Sequence, residues 1–504
     1  MTAAREVRAF WRASRHRASG LDAYGVYVAV IVGLVTVAPL LRLVWLVATD
    51  PGAAAAVLSL VPREVVPGGI AAVWAAACIT GALRGPVTPP PFLAYALGGS
   101  PIPQRRAFAR WIWPPIGVGA CVGAATAALA CLASHTLTGM PLPAAAALVA
   151  AGAASGIVTI VSWLAGQVLP VRLVAGAASG LVGAALALWV AAPGLLLAGG
   201  AGVAGAGAVL AAAIVLTGAV PWLASRLDPQ RVLAQSRAWQ TATTHVGALD
   251  LQASAMTYQP LPHRRGRFAV RGTGGLTGVF LRRDAIAAAR TPERLALGVA
   301  ALLGGGALLA VATVMPPPAW IGAAGGVAVF AGLGPLTDGL RHIALVSADV
   351  PLYGVSDGRL LAAHAALPLL IGTAATLMGG LAAVGLVSGG AAGPAAAACT
   401  AVTAVVLRAM SALKPQQPLA LLAPVPTPAG DLSAVARVVW ALDAVLLAAG
   451  AGLAAAALPA TPWPLLAVGG AITVVTAGRW RRTSGASLTS TAQRGAQAPA
   501  SRSE

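Results

Sequence analysis

Apolar residues dominate this chain in long runs, and polar positions gather between the runs. Six runs lie in each half, and most are close to the roughly 20 apolar residues that span a bilayer as a helix. The pattern predicts an all-α polytopic membrane protein with about twelve transmembrane helices, arranged as two six-helix units. The predicted spans cover residues 24–47, 65–83, 111–133, 143–165, 172–192, 197–222, 296–315, 319–336, 361–387, 391–412, 435–458 and 463–478.

Basic residues alternate from one connection to the next. Of the 33 Lys and Arg residues, all but Arg42 and Arg63 lie in the terminal segments or in every second connection. Cytoplasmic loops of membrane proteins carry such an excess of basic residues. We therefore expect a multi-pass protein of the cell membrane with both termini in the cytoplasm.

Composition excludes a soluble globular protein, because 58% of the residues are hydrophobic and only 9% are charged. The net charge of +19 would suggest nucleic-acid binding in a soluble protein. Here the alternating basic connections account for the charge, and we expect no nucleic-acid partner. The lipid bilayer is the expected environment.

The two halves resemble each other in layout. Each begins with a basic amphipathic stretch, around residues 5–17 and 276–290, which indicates either a helix on the cytoplasmic leaflet or a plain charged flank. Asp228 followed by Pro229 predicts the start of a helix in the central polar stretch. The predicted division is 1–222 for the first membrane unit with its amphipathic helix, 223–294 for a cytoplasmic linker with a helix and the second amphipathic helix, 295–478 for the second unit and 479–504 for a disordered cytoplasmic tail.

The chain lacks the motif of a membrane ATPase. Walker A needs a Lys that reaches the phosphates, and the single Lys, Lys414, is followed by Pro415. No HExxH pattern occurs, and the cysteines show no metal-ligand spacing. We expect no enzyme activity, no catalytic residue, no metal and no cofactor, so energy for any transport must come from another source.

The connections between the second and third spans of each half are candidates for docking a partner. Both combine a short apolar segment, a turn and basic residues, although the first can also be interpreted as a stiff loop or as packing into lipid headgroups. The candidate residues are Phe92, Leu93, Tyr95, Leu97, Arg105 and Arg106 in the first copy and Val350, Leu352, Tyr353 and Arg359 in the second.

Three polar residues are candidates for function within the membrane, where ionisable groups are rare. Asp443 is either a substrate or coupling site or a paired carboxylate near the interface. His364 is either functional or a hydrogen-bonding group between helices. Arg42 is either functional or extended toward the outer headgroups.

The segment LAYALGGSPIPQRRAF (93–108) resembles the cytoplasmic loop beside the coupling helix in type-2 class ABC exporter permeases. REVRAFWRASRHR (5–17) and FLRRDAIAAARTPERLAL (280–297) resemble the amphipathic helix that begins each six-helix unit of that family. The resemblance implies a permease driven by a separate ATP-binding cassette subunit, here with two units fused. It implies no particular substrate.

The expected function is therefore the membrane permease subunit of an ABC-type exporter with an unknown substrate. The alternative is a secondary transporter of the major facilitator type, which also has six plus six helices and a central cytoplasmic loop. The loop signature of that class is matched only weakly by GPLTDGLRH (334–342). A non-transporting membrane scaffold is a third possibility.

Overall fold

The structure is a computed structural model, and it divides the chain into two compact units, residues 1–258 and 259–504. The predicted N-terminal amphipathic helix and most of the predicted spans 24–47 and 172–192 lie outside the described residues. The described residues are 41–59, 66–170, 173–174, 176, 199–247, 251–258, 275–314, 320–346, 355–387, 390–414, 421, 423, 426–427, 430–459 and 461–496.

All secondary-structure elements in the described part of unit 1 are helices. The first helical segment covers residues 41–49. The other helices are α1 (Pro51–Ser59), α2 (Val66–Leu83), α3 (Pro91–Gly98), α4 (Gln104–Ala107), α5 (Ala109–Thr138), α6 (Leu142–Val168), α7 (Gly199–Ser225), α8 (Pro229–Gly247) and α9 (Leu251–Thr257).

Unit 2 is also built from helices, with one two-residue antiparallel pair of strands, β1 (Pro426–Thr427) and β2 (Gly430–Asp431). A 3₁₀ turn, Gly334–Leu336, separates its third and fourth helices. The helices are α10 (Leu276–Ala289), α11 (Pro292–Val314), α12 (Trp320–Gly332), α13 (Asp338–Val346), α14 (Asp357–Val387), α15 (Ala392–Ala412), α16 (Leu432–Ala456) and α17 (Trp463–Ala496).

Seven helices of the described residues are long and apolar enough to cross a membrane: α5, α6, α7, α11, α14, α15 and α16. Helices α12 and α13 pass the same test as a pair bent by 70°, which makes eight if the pair is one span. The chain is thus an all-α polytopic membrane protein, as predicted. The number twelve stays a prediction.

Small residues allow close contact between helices in both units. A side chain at Gly156 of α6 would lie 1.9 Å from the carbonyl oxygen of Gly119 in α5. A side chain at Gly306 of α11 would lie 2.0 Å from the carbonyl oxygen of Thr376 in α14. Lipid supplies no hydrophobic force between helices, so such backbone contacts provide van der Waals attraction instead.

The predicted linker region 223–294 is shared between the units in the structure. The amide of Gln230 donates to Asp228 Oδ1 at 3.0 Å, which confirms the predicted cap at the start of α8. Helix α8 packs within unit 1. In unit 2, Phe280 of α10 is buried against Ile343 and Leu360. Three other apolar residues of α10, Leu276, Val279 and Ile286, are exposed or partly exposed, and the position of α10 on a leaflet stays a prediction.

Candidate coupling surface and polar clusters

Helix α3 lies in the connection between α2 and α5, where the sequence predicts a docking element. Pro91 occupies the first turn, where the missing amide hydrogen costs nothing and the fixed φ favours the helix. Leu93, Ala94 and Leu97 are buried in a cluster that includes Val232 of α8. One face of α3 is therefore fixed to the body of unit 1.

The opposite face of α3 is open. Phe92 is 51% exposed and Tyr95 is 70% exposed. Arg105 and Arg106, on the short helix α4, are exposed as well. The structure thus divides the predicted docking residues: Leu93 and Leu97 are buried in the core of unit 1, while the aromatic and basic residues are exposed. We call Phe92, Tyr95, Arg105 and Arg106 the coupling surface.

In the second predicted docking element, Val350, Leu352 and Tyr353 lie outside the described residues. Arg359 is exposed in the first turn of α14. Docking by this copy stays a prediction.

Two buried glutamine side chains hold the chain that leads into α3. Gln167 Nε2 donates to the Val87 carbonyl at 2.9 Å and to Gln235 Oε1 at 2.8 Å. The amide of Val87 donates to Gln167 Oε1 at 3.2 Å, and that of Gly85 donates to Gln235 Oε1 at 3.1 Å. A side chain at Gly85 would lie 2.1 Å from Gln167 Cδ, so glycine is needed there. The connection is therefore fixed by neutral hydrogen bonds.

Helix α8 also satisfies the ends of two long helices. Gln235 Nε2 donates to the carbonyls of Gly81 and Ala82 at 3.2 Å, near the end of α2. Arg231 donates to the carbonyls of Gly166 and Leu169 at 3.2 and 3.0 Å, at the end of α6. The last carbonyls of a helix lack intrahelical donors and attract cations. Burial lowers the pKa of Arg231, and the charge of Asp228 opposes this.

We call the end of unit 1 at which α2 ends and α5 begins its basic end. Arg84 lies there, with its guanidinium 3.2 Å from the ring centre of Trp239 in α8. Trp163 Nε1 of α6 donates to the Arg84 carbonyl at 2.5 Å. Arg84, which follows α2, therefore contacts both α6 and α8 beside α3.

The corresponding basic end of unit 2, where α11 and α14 begin and α15 ends, carries ion pairs. At the bend between α12 and α13, Arg294 forms two hydrogen bonds to Asp338, at 2.5 and 2.9 Å, and donates to the Gly334 carbonyl at 3.1 Å. Arg408 Nε donates to the Phe330 carbonyl at 2.8 Å. These guanidinium groups donate to backbone carbonyls at the bend, where the regular helical hydrogen bonding is interrupted.

His364 is fully buried, and its Nδ1 lies 2.5 Å from Oδ2 of Asp284, which is 7% exposed. The pair joins α14 to α10, as the interpretation of His364 as a hydrogen-bonding group between helices requires. Its Nε2 has no hydrogen-bond partner among the described residues. A side chain at Gly339 would lie 2.2 Å from His364 Nδ1, so the backbone of α13 packs directly against the Asp284–His364 pair.

Asp443 lies between two cations. Lys414 Nζ is 2.8 Å from Asp443 Oδ1, and Arg479 Nη2 is 2.7 Å from Oδ2. Lys414 also donates to the Trp440 carbonyl. Burial lowers the pKa of Lys414, and the hydrogen bond to Asp443 opposes this shift. The carboxylate is thus paired, as one of the two interpretations from the sequence expects.

Arg42 is exposed on the helical residues 41–49, a position compatible with extension toward headgroups. No group of three His, Cys, Asp or Glu residues that could hold a metal ion occurs among the residues that the structure describes. Sequence reasoning missed Gln167, Gln235, Asp284 and Asp338 as members of polar clusters.

No family model, curated protein or solved structure matches this chain in the comparisons. Its function is therefore argued from the arrangement of its own residues.

Proposed function

We propose that this chain is the membrane permease subunit of an ABC-type exporter, and that a separate ATP-binding cassette subunit docks on the coupling surface. In this proposal the chain spans the cell membrane twelve times as two six-helix units. Both termini and the basic ends face the cytoplasm, where the ATPase has access to its nucleotide. The substrate is unknown.

The arrangement of α3 supports this proposal more than any other observation. Phe92 and Tyr95 present aromatic rings to solvent on a helix whose other face is anchored in the core by Leu93 and Leu97. Large aromatic side chains on a rigid support are typical of residues that dominate protein interfaces. Arg105 and Arg106 add positive charge beside them, which favours an acidic partner.

The connections of α3 favour a role in transmitting force. Its neighbours along the chain are α2 and α5, and it packs on α8, which holds the ends of α2 and α6 through Gln235 and Arg231. A partner that pushes on α3 would therefore act on three long helices at once. A flexible loop in the same place would absorb the movement.

Secondary transport is the second candidate, and the buried Asp284–His364 pair favours it. Secondary transporters use intramembrane ionisable residues as proton or ion sites. The pair lies at the start of α14 with one imidazole nitrogen uncommitted among the described residues. This candidate requires no ATPase partner.

Co-purification distinguishes the two candidates. A tagged full-length chain, extracted from its native membranes, should recover an ATPase subunit. The Phe92→Ala/Tyr95→Ala double variant should recover at least about tenfold less, because truncation of aromatic anchors commonly costs about 2 kcal/mol or more. Recovery is measured at equal expression and membrane insertion.

Trp320→Ala is the matched control, because Trp320 is 49% exposed but lies at the end of α12 remote from the bend and its ion pairs. It should recover the ATPase as the unsubstituted chain does. Undiminished recovery by the double variant would contradict docking on α3. Absence of any ATPase, together with substrate uptake driven by a proton gradient in vesicles, would favour the secondary transporter.

A further inference from the structure

The bend between α12 and α13 carries more positive charge than the acidic side chains described there neutralise. Three guanidinium groups, those of Arg294, Arg341 and Arg408, act on one another and on a single carboxylate, Asp338. The end of α12 contributes a partial negative charge of about one half. Among the described side chains, a surplus of more than one positive charge therefore remains at this site.

The three arginines differ in how far their donors are used. Arg294 is committed to Asp338 and to the Gly334 carbonyl. Arg408 uses Nε and Nη2 on the carbonyls of Phe330 and Ala331. Among the described residues, no acceptor is recorded for Nη1 of Arg408.

Arg341 is the least committed of the three. Its Nη1 lies 3.7 Å from Asp338 Oδ1, which is longer than a hydrogen bond. The described part of the chain supplies no hydrogen-bond acceptor for its guanidinium. The side chain is 22% exposed and Asp338 is 41% exposed, so the site is open on one side.

The position of the bend decides which anion can reach it. Arg294 in the first turn of α11 and Arg408 near the end of α15 both contact the bend, so the bend lies near one end of these two spans. Phospholipid phosphates occupy that depth of a bilayer, and basic pockets between helices bind anionic headgroups. Guanidinium matches phosphate oxygens with two parallel hydrogen bonds.

We propose that Arg341, together with Nη1 of Arg408, binds an anionic phosphate group at the bend between α12 and α13, the chemistry presented by the headgroup of an anionic phospholipid. The bound phosphate neutralises the surplus charge and completes the hydrogen bonds of the two guanidinium groups. This site belongs to unit 2 alone and does not depend on the proposed transport function.

The test uses the full-length chain purified in detergent and titrated with short-chain phosphatidylglycerol. Phosphatidylcholine and inorganic phosphate are titrated in parallel, with the melting temperature as the readout. Phosphatidylglycerol should raise the melting temperature at lower concentration than phosphatidylcholine. Arg341→Gln should weaken this effect about tenfold or more, as expected for loss of a charge-assisted contact.

Arg359→Gln is the matched control, because Arg359 is an exposed arginine in the same unit but outside the cluster. It removes the same charge and should weaken the lipid effect by no more than about fivefold, the contribution of one basic residue near an anionic surface. Equal weakening by both variants would overturn the proposal, since general attraction to charge would then explain the binding.

Two further outcomes complete the test. The first distinguishes a lipid headgroup from free phosphate, and the second uses only the unsubstituted chain, so it holds even if a variant fails to fold. If inorganic phosphate stabilises the unsubstituted chain as well as phosphatidylglycerol does, and Arg341→Gln removes both effects, the site binds free phosphate. If the unsubstituted chain shows no preference for either anion over phosphatidylcholine, the proposal fails whatever the variants do.

Discussion

The two basic ends solve the same problem with different chemistry. In unit 1, the neutral amides of Gln167 and Gln235 satisfy buried backbone groups next to α3, and Arg231 adds a charged donor. In unit 2, each of the carboxylates Asp284, Asp338 and Asp443 faces a basic side chain or an imidazole. Helix ends in both units are thus satisfied by side chains from other helices.

The difference indicates which basic end loses more stability when one of its polar side chains is removed. Neutral amides carry no charge that burial must desolvate, so a hydrogen-bonded pair can fix the chain beside an exposed helix at low cost. Buried ion pairs repay their desolvation only while both partners remain. Loss of one group should therefore cost more in unit 2 than in unit 1.

The largest effect is expected from Asp443→Asn. This change keeps the shape of the side chain but removes the negative charge that lies against Lys414 and Arg479, which are 11% and 12% exposed. Removal of one partner from a buried ion pair costs about 3–5 kcal/mol. We expect a large fall in the temperature at which the purified chain loses its monodisperse peak.

Asp357→Asn is the control for this prediction, because Asp357 lies in the first turn of α14 and has no ion pair among the described residues. It should change stability by less than about 1 kcal/mol, the usual value of a charge near a helix start. Similar effects from the two substitutions would contradict the importance of the Asp443 pair.

The sequence predicts the described helices of both units well and their polar contacts poorly. Apolar runs and the Asp228-Pro229 pair are local signals, and the helices appear where they indicate. His364 and Asp284 are 80 residues apart, and Arg294 and Asp338 are 44 apart. Their pairing depends on how helices pack, which hydropathy does not specify. The burial of Leu93 and Leu97 was missed for the same reason, because a short apolar helix does not reveal which face meets its own protein.

A smaller loss is expected when the neutral network of unit 1 is broken. Gln235→Ala leaves the Gly85 amide and the carbonyls of Gly81 and Ala82 without this partner. Buried polar groups left unsatisfied cost about 1–3 kcal/mol. The melting temperature of the purified chain should fall, but less than for Asp443→Asn.

Gln240→Ala serves as the matched control on the same helix, since the side chain of Gln240 is exposed. Its melting temperature should equal that of the unsubstituted chain. If Gln235→Ala proved as costly as Asp443→Asn, the contrast between neutral and charged ends would not hold.

The two units should be alike in their helix packing, and substitutions that disturb this packing should cost about as much stability as Gln235→Ala. Gly156→Ala in unit 1 and Gly306→Ala in unit 2 each force a methyl group against a backbone carbonyl, at 1.9 and 2.0 Å before relaxation. Overpacking costs about 1–3 kcal/mol. Both variants should melt earlier by similar amounts, whereas Gly117→Ala, with open space around it, should not. A loss confined to one unit would show that packing differs too.

The smallest effect is expected on the exposed face of α3. Phe92→Ala and Tyr95→Ala remove side chains that are 51% and 70% exposed, so the stability of the isolated chain should change by less than about 0.5 kcal/mol each. On the buried face, Leu97 is 1% exposed, and Leu97→Ala should cost about 2–5 kcal/mol. Melting of the purified chain, free of any partner, measures all three variants.

If the aromatic rings instead pack into headgroups, their removal should lower stability in lipid nanodiscs but not in detergent. A stability loss in detergent comparable to that of Leu97→Ala would mean that the rings serve the fold of unit 1, and a partner would no longer be needed to explain them.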